Sequence, residues 1–235
     1  MAQDEVVAAI NAIVSDARQD IRPLDNALAR VRRFREENTP GTVSVVDRFV
    51  SHLREIQAGL TAPRVGAKMH NFVLPDEQMR LVELNQLLQK GPVVISVNQG
   101  HWCPYCRLNM MGMASIEEEI AAHGGQVVAT VPDRQKFTKH LKEESGGHYP
   151  ILTDIDNGFA QLLDLAVPVG NEMKELLSDI GWALPEFQGN SAWILPIPAT
   201  FVVRKNGIIA TRHIDPDFRF RMALEDIVAA VASAA

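Results

Sequence analysis

The stretch Val93-Val94-Ile95-Ser96-Val97-Asn98-Gln99-Gly100-His101-Trp102-Cys103-Pro104-Tyr105-Cys106 joins two kinds of backbone within fourteen residues. Val93–Val97 is an almost unbroken apolar run introduced by the turn Lys90-Gly91-Pro92, which predicts a buried strand. Proline suits the first position of a helix, where a missing N–H costs nothing. A helix is therefore expected from about Pro104 to Ala122, stopped by His123-Gly124-Gly125. Cys103 then falls between the strand and the first helical turn. Unpaired backbone N–H groups and the positive end of the helix dipole converge there and favour a negatively charged sulfur. The thiolate, not the thiol, attacks a disulfide or a peroxide oxygen. Cys106 lies one helical turn further on, close enough to resolve an oxidised Cys103 as a disulfide, and is expected to be the less exposed. Cys103 is read as the attacking thiol and Cys106 as the resolving one.

These are the only two cysteines in 235 residues, so they form no disulfide framework. A zinc site needs about four ligands, and one C-x-x-C pair supplies two. The seven histidines include no pair at zinc-site spacing, and no metal or other cofactor is expected. Asp154-Ile155-Asp156-Asn157-Gly158 hints at a calcium loop, but the spacing is one residue short and Leu165 stands where the bidentate Glu belongs. A redox couple is the better reading of the cysteines. A net charge of −6 argues against a general affinity for nucleic acid or anionic membranes. No apolar run approaches the ~18 residues that cross a bilayer. The start Met1-Ala-Gln-Asp-Glu-Val has neither a basic segment nor an apolar block behind it, so a cytoplasmic location is expected.

Outward from the motif, the chain divides at residues 62 and 63. Residues 1–62 read as a helical extension. Val6, Val7, Ile10, Ile13 and Val14, then Leu24, Leu28, Val31 and Phe34, then Val45 to Ile56 repeat amphipathic spacing, with Thr39-Pro40-Gly41 between the second and third helices. They look like an appended cap or a dimerisation element, so a homodimer is among the expected partners. Arg30, Arg32, Arg33 and Arg35 are followed by Glu36 and Glu37 and read as a solvated helix face rather than an anion site. Residues 63–235 alternate strands and helices. Strands are expected at 126–131, 149–152, 199–204 and 208–213, with the Asn206-Gly207 hairpin between the last two, and helices at 134–145, 159–165 and 224–234. The stretch with Trp182, Pro185 and Trp193 reads as irregular. The fold class is α/β, a central mixed sheet flanked by helices.

Trp102-Cys103-Pro104-Tyr105-Cys106, set in Val-Val-Ile-Ser-Val-Asn-Gln-Gly-His, resembles the active site of the thioredoxin-like fold. More closely it resembles the peroxiredoxin-like branch of the alkyl hydroperoxide reductase/thiol-specific antioxidant (AhpC/TSA) family. The similarity spans about residues 64–230 and includes Asn71–Asp76, Tyr149–Asp154, Ile197–Val203 and the tail Asp215-Pro216-Asp217-Phe218-Arg219-Phe220-Arg221. It implies a cis peptide at Pro198, facing the cysteines and docking an extended substrate. It also implies a hydroperoxide or disulfide substrate and an electron donor of the thioredoxin or glutathione type.

Three positions depart from the pattern that the resemblance implies. Gly100 stands where the family places a Thr or Ser, three residues before the attacking cysteine. Pro198-Ala199-Thr200 lacks the peroxide-polarising arginine. Arg204, Arg219 and Arg221 read as surface ion-pairing residues that alternatively reach the site. Val97 replaces the buried acid of thioredoxins. His101 is a candidate to steady the thiolate or relay a proton, or else a solvent-facing loop residue, and Trp102 a rim residue of the substrate site. Met110, Met111 and Met113 read as core. Two enzyme readings stay open: a peroxiredoxin-like antioxidant reducing hydroperoxides, and a thioredoxin-like disulfide oxidoreductase. A non-enzymatic redox-sensing module is the third.

Overall fold

The computed structural model describes residues 2–234. Three helices come first: α1 (Gln3–Asp16), α2 (Leu24–Asn38) and α3 (Pro40–Glu55). Pro40 begins α3 rather than separating it from α2, because proline at the first helical position forfeits no intrahelical bond. Ile10 and Val14, then Leu24, Leu28 and Val31, then Phe49 and Leu53 are buried in the same hydrophobic core as the sheet. The apolar faces of the N-terminal helices are thus turned inward, onto the rest of the chain.

A hairpin of β1 (Val73–Pro75) and β2 (Leu81–Glu83) leads through α4 (Leu84–Leu88) into β3 (Val93–Val97). The helix after the cysteines is two helices, α5 (Pro104–Ser115) and α6 (Glu117–Ala122). They break at Ile116, whose φ of −113° and ψ of 3° leave helical space. Next come β4 (Gln126–Val131), α7 (Gln135–Ser145), β5 (Ile151–Thr153) and α8 (Gly158–Leu162). Residues 166–196 hold more regular structure than their composition suggests. β6 (Ala166–Pro168) pairs with β7 (Ile194–Pro196), and between them lie α9 (Gly170–Asp179) and α10 (Leu184–Gln188). The chain closes with β8 (Ala199–Val203), β9 (Ile209–Ile214) and α11 (Leu224–Ala234).

The main sheet has the order β5-β4-β3-β8-β9. β3, β4 and β5 run parallel, and β8 and β9 are antiparallel to their neighbours, giving the mixed, helix-flanked sheet of the thioredoxin-like class. Every residue of β3 is buried, as a central strand covered on both faces requires. Parallel β3 and β4 deliver their carboxyl ends to one edge, where loops after open α/β strands form sites. Asn98 N–H donates to Thr130 O at 2.9 Å and ties the residue after β3 to the end of β4. Among the described residues no helix is long and apolar enough to cross a membrane.

The cis expectation at Pro198 does not hold. Among the described residues the one cis peptide is Arg22–Pro23, so Ile197–Pro198 is trans. Ile197 N–H is engaged by Leu165 O at 2.7 Å, and β8 starts directly after the proline, so the chain runs extended through this point. An extended residue before proline and the ~0.5–1 kcal/mol trans preference of the bond act together here.

Candidate active site

Cys103 is the N-cap of α5, with extended backbone (φ −82°, ψ 112°) and Pro104 at the first helical position. The Cys106 N–H donates to Cys103 Sγ at 3.4 Å, the helix-terminus contact expected from sequence. Both sulfurs are free thiols and buried, Cys103 1% exposed and Cys106 0%. Their surroundings differ. Cys103 lines a narrow, largely apolar cleft that is partly open to solvent, whereas Cys106 is not in its wall. Cys106 Sγ accepts instead from Gln99 N–H at 3.3 Å and from Arg221 Nη2 at 3.5 Å.

These contacts move the expected acidity from one sulfur to the other. Burial opposes ionisation of Cys106, but the Cys103 thiol, the Arg221 guanidinium and the Gln99 amide outweigh it and bring the Cys106 pKa down to about 6. Burial pushes Cys103 the opposite way, reinforced by its hydrogen bond to Cys106 and by repulsion from that neighbour. One proton is therefore shared between the sulfurs, with the anion resting on the inner one. The sequence places the thiolate-favouring helix terminus at Cys103, whereas the guanidinium lies against Cys106. A helix terminus offers partial charges, whereas Arg221 offers a full one at a buried site.

Arg221 is 7% exposed, and its Nη1 donates to the Phe218 and Phe220 carbonyls, so the tail wraps its own side chain into the core. Its reading as a surface ion-pairing residue is overturned. Arg219 does pair, with Asp217 and Asp47. Arg204 follows the end of β8 that pairs with Val93, whereas the cysteines follow Val97 at the other end of β3.

His101 is neither solvent-facing nor on a sulfur. Its Nδ1 lies 2.9 Å from Asp133 Oδ2, its main-chain N–H donates to the same oxygen at 2.7 Å, and its ring stacks on Phe137 with centroids 4.4 Å apart. The ring is held in place beside the motif by a buried carboxylate. Trp102 lines the cavity and packs on Trp182 at 5.0 Å. Pro198 is buried and absent from the cavity wall.

Gly100 has a structural reason to lack a side chain. Its φ is +146°, and a Cβ there would meet Trp102 Nε1 at 2.6 Å and the Asp133 carboxylate oxygens at 2.8 and 2.9 Å. Indole and carboxylate fill the space that a threonine would need. Beneath the motif, Asn109 Nδ2 donates to Ser96 Oγ at 3.0 Å and Asn98 Oδ1 at 3.2 Å, pinning α5 to the end of β3. The Met110, Met111 and Met113 side chains are core, as read.

Sequence reading misses Asp133, Gln99 and Arg35 as parts of this site, and offers Arg221 only as the alternative to a surface role. Asp133 alone carried a usable signal, because it follows β4 at the carboxyl edge next to β3.

The AhpC/TSA family profile matches residues 65–212, more than half of the chain. Among solved structures, peroxidoxin BcpB from Mycobacterium tuberculosis aligns over 74% of this chain and 99% of its own, at 17% identity and a TM-score of 0.58. A putative thiol:disulfide interchange protein DsbE from Chlorobium tepidum aligns over 74% and 99%, at 19% identity and TM-score 0.52. A mutant of peroxiredoxin 6 from Arenicola marina aligns over 72% of both chains, at 15% identity and TM-score 0.55. At such identities these likenesses speak for the fold. A search of curated proteins finds no match.

Proposed function

Because this chain belongs to the AhpC/TSA family and is by that membership a thiol-dependent oxidoreductase, we propose that it reduces organic hydroperoxides through Cys103, with Cys106 as the resolving thiol. The observation that carries this reading is the placement of Cys103, 1% exposed, at the wall of an apolar cavity. A small hydroperoxide enters such a space, whereas the disulfide of another folded protein does not reach a sulfur so enclosed.

The proposed steps balance as follows. Cys103 passes its proton to the Cys106 thiolate as its sulfur attacks the terminal peroxide oxygen. The O–O bond breaks, the leaving alkoxide takes a proton and departs as an alcohol, and Cys103 becomes a sulfenic acid. Cys106, again deprotonated beside Arg221, attacks the Cys103 sulfur. The S–S bond forms and hydroxide leaves, taking a proton from solvent to become water. Two electrons have passed from the thiol pair to the peroxide. A thiol donor of the glutathione or thioredoxin class returns them, and burial of the pair favours the smaller donor. The cytoplasm, with its reducing thiol pool, is the compartment that suits this cycle.

Stopped-flow mixing of reduced protein with cumene hydroperoxide tests the reading. Thiol loss well above that of a free thiol at the same pH is expected. Cys103→Ser should abolish it, and Cys106→Ser should leave a trappable sulfenic acid. Loss no faster than a free thiol, together with rapid insulin reduction, would instead favour a disulfide oxidoreductase.

A further inference from the structure

His101 is committed through one ring nitrogen only. Its Nδ1 is fixed by Asp133, whose buried carboxylate also accepts the His101 main-chain N–H. Phe137 stacks on the ring and Phe187 meets it edge-on, with centroids 4.7 Å apart, so the ring is held against turning over. A carboxylate on Nδ1 selects the tautomer that carries its proton there and leaves the Nε2 lone pair free. Nε2 makes no hydrogen bond among the described residues, and what the ring borders is a groove of about 530 Å³.

The groove runs between α1, α2 and α3 on one side and α5, α7 and α10 on the other. It adjoins the cleft that holds Cys103, since Arg35, Thr42, Trp102, Ile180 and Trp182 are in the walls of both. The charges around the ring are mostly spent on one another. Arg107 of α5 pairs with Glu144 of α7, and Lys136 of α7 pairs with Glu186 of α10. His140 of α7 is exposed. Arg35 of α2 enters no ion pair among the described residues, and its Nε has no hydrogen-bond partner. It stands where groove and cleft meet, so it favours a thiolate there.

We infer that His101 is the general base of the reductive half of the cycle: from the groove it takes the proton of a small thiol as that thiol attacks the oxidised cysteine pair. This rests on closure of Cys103 and Cys106 to a disulfide, as proposed above, and not on which oxidant closes it. The donor thiol passes its proton to His101 Nε2 while its sulfur attacks Cys103. A mixed disulfide forms, the Cys103–Cys106 bond breaks, and Cys106 leaves as a thiolate beside Arg221. The imidazolium, stabilised by Asp133, returns its proton to solvent. A second donor thiol then gives its proton to His101 and attacks the donor sulfur of the mixed disulfide. Cys103 leaves and takes that proton, and the donor disulfide departs. Two donor thiols are oxidised, and the cysteine pair gains two electrons.

The test uses diamide, a thiol oxidant that is not a peroxide, to close the pair. Reduction by excess 2-mercaptoethanol is then followed by rapid acid quench across the neutral and alkaline range. That thiol is largely protonated near neutral pH, so attack by free thiolate alone would speed up about tenfold per pH unit. Wild type should instead level off once the imidazole is neutral, because base and protonated thiol are then both at full strength. His101→Gln should lose the plateau and be slower by about tenfold or more at neutral pH, converging on wild type where the donor is fully ionised. Circular dichroism checks that the variant folds. A wild-type rate that climbs with thiolate through the neutral range, which needs no variant, would overturn the inference. So would a His101→Gln deficit of the same size at every pH, the mark of a structural role. Failure of diamide to remove two hydrogens, read by mass spectrometry, would overturn the disulfide pairing and this inference with it. A plateau together with inertness toward cumene hydroperoxide would keep His101 as the base and remove the peroxidase reading.

Discussion

The pair of sulfurs behaves as a single acid with an inner and an outer site. In the reduced protein one thiolate should appear as pH rises through about 6, below the ~8.5 of a free cysteine, and the second only at much higher pH. Arg221→Met removes the positive charge that favours the anion, so the first step should move upward by about one unit or more. Thiolate ultraviolet absorbance across a pH titration reads both steps, and coincident titration of the two near 8.5 would contradict the assignment. Gly100→Thr supplies the hydroxyl that the family pattern places there. It is nevertheless expected to destabilise the fold by about 1–3 kcal/mol in urea unfolding, because φ of +146° and the Trp102 and Asp133 contacts exclude a side chain. The cysteines were legible from sequence because their spacing and their place after an apolar strand are local. Arg221 was not, since 115 residues separate it from Cys106 and nothing local distinguishes it from a surface arginine.

At the scale of elements, strands with continuous or alternating apolar residues and helices of three or more turns were readable. β3, β4, β8, β9 and α11 lie within a residue or two of their expected bounds. The short segments between Ala166 and Pro196 were not, because Met173 and Leu177 are the only fully buried apolar residues of α9 and one such pair sets no clear period. Helix α5 joins the two halves of the core. At Gly112 an added Cβ would stand 3.1 Å from Leu224 Cδ2 and 3.4 Å from Leu24 Cδ1, so α2 and α11 close on α5 at this position. Gly112→Leu should therefore cost about 1–3 kcal/mol despite leucine's higher helix propensity. Unfolding midpoints in urea would show it, and an unchanged midpoint would mean that the three helices do not meet this tightly.

For the whole molecule, the N-terminal helices are part of the cavity and part of the core. A variant beginning at residue 61 should bind hydrophobic dyes, melt at lower temperature and lose the enclosure of Cys103, because Val14, Leu28 and Val31 are completely or almost completely buried in the intact chain. Dye fluorescence and a thermal scan of the truncated chain against the full one measure this. The sequence pattern conveyed that these segments are helices but not where their apolar faces go, since amphipathicity names a face and leaves its partner open. Arg221 brings the other end of the chain into the same arrangement. Its guanidinium is held between two tail carbonyls and the Cys106 anion. When the pair becomes a disulfide that anion disappears, and a buried cation is left with carbonyl oxygens alone. The segment from Asp215 to Met222 then acts as an electrostatic latch whose counter-charge exists only in the reduced protein. Its amides should exchange hydrogen faster once the protein is oxidised, so that the C-terminal tail reports from outside the cavity on electrons held within it.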